Sequence, residues 1–273
     1  MKTIILHSQD LTTAKLVSER IGVSAQKKRA HFRFITNKTI DLKALREVFK
    51  LDFNFVPENF RFDRAALFIS DMDSTLINIE CIDEIADFAN LKPQVANITE
   101  RAMQGELDFN ASLIERVALL KGLCVNVLEK VYTQRLKVNS GGKELIKFFQ
   151  SRDIKSAVVS GGFTYFTNQL AKDISLDHAR ANTLEIENGL LTGCVQGDII
   201  NGTAKAEFVQ ELCEQYGVST NQVIVAGDGA NDLEMMAVAG LSIAYHAKPS
   251  VIERANIAIS FGGLDKIMDL FDE

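Results

Sequence analysis

Short, uninterrupted apolar runs recur along the chain from residue 65 onward. They lie at residues 65–69, 156–159, 223–226, 241–244 and 257–259. Runs of this length without polar alternation are typical of parallel strands that are buried on both faces. Amphipathic helical patterns, for example at 205–216 and 231–238, separate most of them. This alternation predicts an α/β fold with a doubly wound parallel sheet.

The first 64 residues have a different pattern. It predicts a strand at 3–6, a helix at 11–21, a strand at 31–35 and a second helix at 42–49. Residues 54–64 are rich in phenylalanine and charge and hold Pro57, as expected of a linker that wraps onto the next unit. We therefore expect a small α+β domain at residues 1–64, followed by the α/β domain at 65–273.

The connection between the first two apolar runs is unusually long. It carries only helical patterns, at residues 79–88, 94–103, 110–120 and 125–136. A loop of this length is not expected inside a compact domain. We therefore predict a helical cap at about 77–140, inserted into a core that residues 65–76 and 141–273 form. Further along, residues 184–192 alternate around Asn188 and Gly189, which predicts a β-hairpin.

Composition and charge narrow the class of protein. The formal net charge of −6 disfavours nucleic acid and anionic membranes as partners. The N-terminal apolar run is too short for a secretion signal, and no stretch approaches the length of a membrane span. The four cysteines are scattered, without the spacing of a zinc site. We expect a cytoplasmic protein with reduced thiols.

Two carboxylates directly follow the first predicted core strand. Asp71 and Asp73 stand one residue apart, and Thr75 comes two residues later. Ligands of open α/β sheets bind beyond the carboxyl ends of the strands. There, one carboxylate can attack phosphorus while the other moves protons. An acidic turn that caps the next helix would have the same sequence, so this motif alone leaves both interpretations open.

Two further predicted strand ends carry polar residues. Residues 223–226 run into 227–232, where Asp228 adds a carboxylate, and oxygen ligands from two strand ends suit Mg²⁺. Ser160 and the two following glycines offer a hydroxyl and backbone amides for a phosphate. Lys205 opens a predicted helix, where the helix dipole disfavours a cation and where a functional cation would therefore stand out. Taken singly, these features are also typical of ordinary turns and a solvated lysine.

Together, these four segments resemble the motifs of the haloacid-dehalogenase superfamily of phosphohydrolases, and within it the bacterial phosphoserine phosphatase family. The resemblance covers about residues 65–262. It implies that Asp71 is a nucleophile that becomes an aspartyl phosphate, and that Asp73 is the general acid and base. It also implies a Mg²⁺ ion held by Asp71, the backbone carbonyl of Asp73, and Asp228.

The same resemblance assigns the remaining core residues. Lys205 and Ser160 would hold the phosphoryl oxygens, and Asp232 would orient Lys205. Three further residues would line the phosphate site: Gly161, Gly162 and Asn231.

The cap segments narrow the expected substrate to O-phosphoserine, hydrolysed to serine and phosphate in serine biosynthesis. By resemblance, Glu80 meets the substrate amino group, Arg116 grips its carboxylate, and Met103 and Phe109 close over it. Physically, an amino-acid head group needs one anion and one planar cation at a fixed separation. Each of these side chains taken alone would be interpreted as an exposed helix charge or a core residue.

Two alternatives stay open at this point. One is a phosphatase of the same superfamily for another small amine or sugar phosphate. The other is a binding protein without catalysis, which is disfavoured because every catalytic position is filled. Residues 1–64 resemble the ACT-type domains that precede some family members, although the block is short for a full βαββαβ unit. The expected partner is the small-molecule substrate, and the sequence leaves a homodimer open.

Overall fold

The computed structural model describes residues 1–272. Its strands are β1 (Lys2–Leu6), β2 (Gln26–Lys27), β3 (Phe32–Thr36), β4 (Phe53–Phe55), β5 (Leu67–Ser70), β6 (Lys155–Phe163), β7 (His178–Glu187), β8 (Leu190–Gln196), β9 (Val223–Gly227), β10 (Leu241–Tyr245) and β11 (Ile257–Ile259). Its helices are α1 (Leu11–Ile21), α2 (Leu42–Phe49), α3 (Cys81–Phe88), α4 (Lys92–Met103), α5 (Phe109–Ala118), α6 (Asn126–Gln134), α7 (Gly142–Gln150), α8 (Thr164–Ile174), α9 (Gly202–Tyr216), α10 (Leu233–Val238) and α11 (Pro249–Ile252). A 3₁₀ segment, Leu264–Phe271, follows β11.

The larger sheet has seven strands in the order β11-β10-β9-β5-β6-β7-β8. All neighbours in it are parallel except β7 and β8. Successive residues of β5 enter different cores: Phe68 packs on the side of α7 and α8, and Leu67 on the side of α9 and α10. Burial on both faces explains the uninterrupted apolar runs, and the predicted α/β fold is confirmed.

The smaller sheet is antiparallel, in the order β2-β3-β1-β4. The chain order β1-α1-β2-β3-α2-β4 supplies all six elements of a βαββαβ unit. The expectation that this block is too short for such a unit was wrong, because β2 has only two residues and α2 only eight. The expected linker at 54–64 likewise begins inside a strand, since β4 pairs with β1.

The N-terminal sheet is attached to the larger sheet by side chains that form hydrogen bonds with backbone groups at β11, as a neighbouring strand would. The Asn54 amide donates to Ala258 O and accepts from Ala258 N–H, both at 2.9 Å, and thereby pairs the edge strand β11. The Asp52 carboxylate accepts the N–H groups of the next three residues after β11, at distances down to 2.7 Å. Asp269 of the 3₁₀ segment binds His7 at 2.8 Å. These contacts are buried or partly buried and tie residues 1–64 to the rest of the chain.

We expect Asp52→Ala to destabilise the protein by about 2–4 kcal/mol, because it leaves three backbone donors without their charged acceptor. Asp41→Ala is the matched control, since Asp41 caps only one N–H of α2 at an exposed site and should cost about 1 kcal/mol. Urea unfolding of both variants measures the two free energies. Equal losses would show that the Asp52 contacts add nothing to the attachment.

The segment between β5 and β6 holds helices α3–α6, as predicted, and we call residues 77–140 the cap. Its two ends run side by side, since Ile77 forms a bridge with Val138 and Asn139 N–H donates to Leu76 O at 2.9 Å. The predicted hairpin is also present. Asn188 and Gly189 both have positive φ, at 51° and 79°, as a tight two-residue turn requires. Across residues 1–272, no helix is long and apolar enough to cross a membrane.

Candidate active site

An open cleft of about 1010 Å³ lies where the carboxyl ends of β5, β6 and β9 meet the cap. Eleven of the predicted site residues line it: Asp71, Asp73, Glu80, Met103, Phe109, Arg116, Ser160, Gly161, Gly162, Asp228 and Asn231. Lys205 and Asp232 lie beneath its floor, fully buried. The structure therefore brings the predicted residues together around one cleft.

Lys205 is buried between two carboxylates. Its Nζ lies 2.5 Å from Asp71 Oδ1 and 2.7 Å from Asp232 Oδ1. Burial disfavours the charged ammonium, but Asp232 and Asp71 outweigh this effect and raise the pKa of Lys205. A buried cation thus lies against one oxygen of Asp71, where charge on an attacking or transferring group would develop.

Asp232 fixes the loop that carries Asp228. Its Oδ2 accepts the N–H groups of Asp228 and Gly229 at 3.1 and 3.0 Å, while its Oδ1 holds Lys205. Both of its oxygens are therefore engaged. This double role accounts for its complete burial, because a buried carboxylate needs such partners.

The acidic residues are arranged so that they fit a divalent cation. Asp71, Asp228 and Asp232 offer carboxylate oxygens that all lie within 4.8 Å of one another. Thr75 Oγ1 donates to Asp228 Oδ1 at 3.1 Å, and no donor in residues 1–272 contacts Oδ2 of Asp71 or of Asp228. Burial, followed by the charge of Asp232, raises the pKa of Asp228 to about 6. Two free oxygens in a crowded anionic cluster suit a hard cation.

Asp73 points away from this cluster, towards the cap and β6. Its Oδ1 accepts the N–H of Cys81, the first residue of α3, at 2.8 Å, and its Oδ2 accepts from Ser160 Oγ at 2.9 Å. Burial raises its pKa, so the protonated form is favoured more than in water. The side chain is thus held in place beside the cleft, between the cap and β6.

Side chains approach the two glycines after Ser160 closely. A Cβ on Gly161 would lie 2.6 Å from Phe109 Cζ, and one on Gly162 would lie 2.5 Å from Asp73 Oδ2. Gly162 N–H donates to Ser160 Oγ at 2.8 Å. The expectation of free backbone amides was therefore wrong for Gly162, whose N–H orients the serine hydroxyl.

Two charged cap residues face the same cleft. Ser74, at a φ of 56°, donates its hydroxyl to Glu80 Oε1 at 2.6 Å. Confinement in the cleft and the charge of Asp73 raise the pKa of Glu80 to about 8, although its side chain still reaches solvent, which moderates the effect. The only side-chain hydrogen bond of Arg116 within residues 1–272 runs from Nε to Ser112 O, so both Nη groups are available. A carboxyl group and a planar cation thus stand above the core carboxylates.

The structure also adds residues that sequence reasoning missed. Asn182 is buried, donates to Gly161 O and accepts from Ile200 N–H, both at 2.8 Å. Asn201, Glu234 and Lys248 line the cleft, as does Asp83 of α3. No local motif marks these residues, because they come from different elements. Met103 lines the cleft too, but 71% of it is exposed, so it lies at the rim.

The chain is similar to known proteins in sequence and in fold. The model of the haloacid dehalogenase-like hydrolases matches residues 65–240. A phosphoserine phosphatase of Polaromonas sp. is 48% identical over 222 residues, which cover 80% of this chain and 94% of that protein. The crystal structure of a probable phosphoserine phosphatase from Vibrio cholerae has a TM-score of 0.85 at 36% identity, covering 98% of this chain and 85% of that chain. A phospho-aspartyl intermediate analogue of phosphoserine phosphatase has a TM-score of 0.71 at 40% identity, covering 76% and 99%.

The parallel sheet, the carboxylate cluster at its carboxyl edge and the family match together identify a hydrolase with an α/β fold. The chain belongs to the family of haloacid dehalogenase-like hydrolases.

Proposed function

We propose that this protein is a phosphatase that hydrolyses O-phosphoserine to serine and phosphate, the last step of serine biosynthesis. One observation carries the proposal: Glu80 and Arg116 open onto the same cleft as Asp71 and Ser160. A phosphate, an ammonium and a carboxylate can each meet a group of opposite charge or a hydrogen-bond donor there. The relatives named phosphoserine phosphatase support the proposal.

In the proposed reaction, Asp71 attacks phosphorus with Oδ1, the oxygen that Lys205 contacts, which leaves Oδ2 for a metal ion. A new P–O bond forms, the bond to the serine oxygen breaks, and Asp73 donates a proton to that oxygen. Asp73 then takes a proton from the water that hydrolyses the aspartyl phosphate. Lys205 and Ser160 balance negative charge on the phosphoryl oxygens. The rate enhancement comes from groups that are already oriented and buried before the substrate binds.

We also propose that Mg²⁺ is the cofactor. The free oxygens of Asp71 and Asp228 would hold it, together with the backbone carbonyl of Asp73, while Asp232 orients Lys205. When bound, the ion neutralises charge between the carboxylate and the phosphate. Asn231, Gly161 and Gly162 would line the phosphate site.

Phosphate release from a panel of small phosphomonoesters tests the activity and the metal together. We expect O-phosphoserine to be the best substrate, EDTA to stop turnover and Mg²⁺ to restore it. Ca²⁺ should replace Mg²⁺ poorly, because its larger coordination shell favours a bidentate carboxylate. Full activity without metal would contradict the role of Asp228, and preference for a sugar phosphate would contradict the substrate.

For recognition, we propose that Glu80 binds the substrate ammonium, Arg116 binds the carboxylate, and Phe109 and Met103 cover them. Phe109 lies against Gly161, directly above the phosphate site. Arg116 has its two Nη groups free for a two-pronged contact with the carboxylate. In this arrangement, the cap residues bind the amino-acid part of the substrate and the core residues bind its phosphate.

The raised pKa of Glu80 predicts a pH dependence of recognition. Below its pKa the carboxyl is protonated and cannot pair with an ammonium, so binding improves as the pH rises. We expect the ratio of kcat/KM for O-phosphoserine to kcat/KM for p-nitrophenyl phosphate to rise by up to about fiftyfold from about pH 6 to about pH 8, as the ionised fraction of a carboxyl with a pKa of about 8 does. Both substrates share the phosphoryl-transfer step, so the pH dependence of that step cancels in the ratio. In Glu80→Gln the ratio should be low and flat, and an unchanged slope there would exclude Glu80 as the titrating group.

Three further parts of the proposal concern the whole chain. We propose that residues 1–64 form a separate ACT-like domain and that residues 77–140 are a cap on the catalytic core. We also propose a cytoplasmic location, which agrees with the four free cysteines Cys81, Cys124, Cys194 and Cys213. The chemistry needs neither nucleic acid nor membrane, and a homodimer is compatible with it.

A further inference from the structure

Helix α5 of the cap and the core meet at the mouth of the cleft through one pair of amide side chains. Asn201 Nδ2 donates to Asn110 Oδ1 at 3.2 Å. Among the described residues, this is the only side-chain hydrogen bond that joins α5 to the core. Both side chains are half-buried, and both line the cleft. The contact therefore connects the cap to the core at the mouth of the cleft.

On the core side, Asn201 is held in place by other bonds. Its Oδ1 accepts Ala204 N–H at 3.1 Å and caps α9, the helix that carries Lys205. The preceding residue, Ile200, is bound to the Asn182 side chain, which also holds Gly161 O. The Asn201 side chain thus has a fixed orientation, and its Nδ2 can donate to the cap. The core half of the pair is preorganised.

On the cap side, Asn110 stands in the first turn of the helix that carries the recognition residues. Phe109 is its neighbour, and Arg116 lies less than two turns further along α5. The far edge of the cap is held differently, since Gly122 N–H donates to Leu191 O and Val125 N–H to Gly189 O of the hairpin. Those backbone bonds are part of the fold, whereas the Asn pair is a single neutral side-chain bond. It can break without disturbing any secondary structure.

We propose that Asn110 and Asn201 form a latch that holds α5 over the bound substrate and releases it with product. They are positioning residues: they act through Phe109 and Arg116 and do not touch the reacting atoms. The identity of the substrate rests on the proposed function, but the latch itself depends only on cap movement. Loss of one neutral hydrogen bond should raise KM about three- to tenfold. kcat should stay within about twofold or increase, because release becomes easier.

The test uses Asn110→Ala and Asn201→Ser in the full-length protein. Serine still caps α9 but cannot reach Asn110, so the cap is retained while the latch is lost. Asn97→Ala is the matched control, because Asn97 is exposed on α4 of the same cap. Hydrogen exchange of the amides at the start of α5 gives a readout that needs no substrate. Exchange should be about three- to tenfold faster in both latch variants, although alanine by itself favours helix.

The double variant completes the test. If the two side chains act only through each other, the double variant should have the same KM and the same exchange rate as either single variant. Asn110→Asp keeps the accepting oxygen and should restore slow exchange. Additive effects, or α5 exchange equal to that of the wild type and of Asn97→Ala, would overturn the latch. If exchange behaves as expected while O-phosphoserine is not a substrate, the latch stands and the proposed substrate fails.

Discussion

Arg116→Ala is expected to lower kcat/KM for O-phosphoserine by roughly 30- to several-thousand-fold. The guanidinium lies in a cleft roofed by the cap, with both Nη groups unengaged, so its loss would leave the substrate carboxylate desolvated and unpaired. Removing one partner of a charge-assisted pair that the bound substrate desolvates costs about 2–5 kcal/mol. Turnover of p-nitrophenyl phosphate, which has no carboxylate, should be slow in the wild type and about equally slow in the variant.

Two further variants sharpen the Arg116 measurement. Arg116→Lys should also be poor, because an ammonium cannot make a two-pronged contact with a carboxylate. Arg101→Ala is the matched control, since Arg101 lies on the same cap but pairs with Glu106 and Glu115 outside the cleft. It should change kcat/KM by less than about twofold, as expected for an exposed pair. An equal loss of both substrates in Arg116→Ala would place Arg116 in the phosphate site or in the fold.

Asp71→Asn is expected to reduce kcat by at least about a thousandfold while the protein stays folded. An amide is a poor nucleophile and a poor ligand for a hard cation. The fold should survive because Lys205 keeps its second partner, Asp232, at 2.7 Å. Phosphate release measures the first effect, and the midpoint of thermal unfolding measures the second.

The two readouts for Asp71→Asn must be taken together. A large fall in the unfolding temperature would show that the Lys205–Asp71 contact stabilises the fold, and the lost activity would then say nothing about the nucleophile. Residual activity within tenfold of the wild type in a folded variant would exclude Asp71 from covalent catalysis. Asp63→Asn, at an exposed site on the chain leading to β5, controls for the loss of one carboxylate.

The α/β core was predictable because its signals are local and strong. Uninterrupted apolar runs marked β5, β9, β10 and β11, and the Asn188–Gly189 pair marked the hairpin turn. Two N-terminal strands were missed for physical reasons. β2 has only two residues, both exposed, which is too few for a recognisable alternation of apolar and polar positions. β4 lies in a phenylalanine-rich segment whose composition resembles a linker.

The site was predictable as far as it lies at strand ends. Asp71 and Asp228 directly follow β5 and β9, and Ser160 lies in the last part of β6, so the topology brings all three to one edge. Asn182 and Asn201 were not found, because their roles depend on bonds to residues distant in sequence. The hydrogen bond that takes up Gly162 N–H likewise depends on the rotamer of Ser160, which no sequence pattern sets.

The central claim is that phosphate passes from O-phosphoserine to Asp71. It is tested most directly by quenching the wild-type protein in acid during turnover of ³²P-labelled O-phosphoserine with Mg²⁺, and then mapping the label. We expect label on the peptide that contains Asp71. Hydroxylamine should remove this label, as it does from an acyl phosphate, and Asp71→Asn should carry none. Label on a serine or histidine, or steady turnover with no labelled protein at any time, would contradict it.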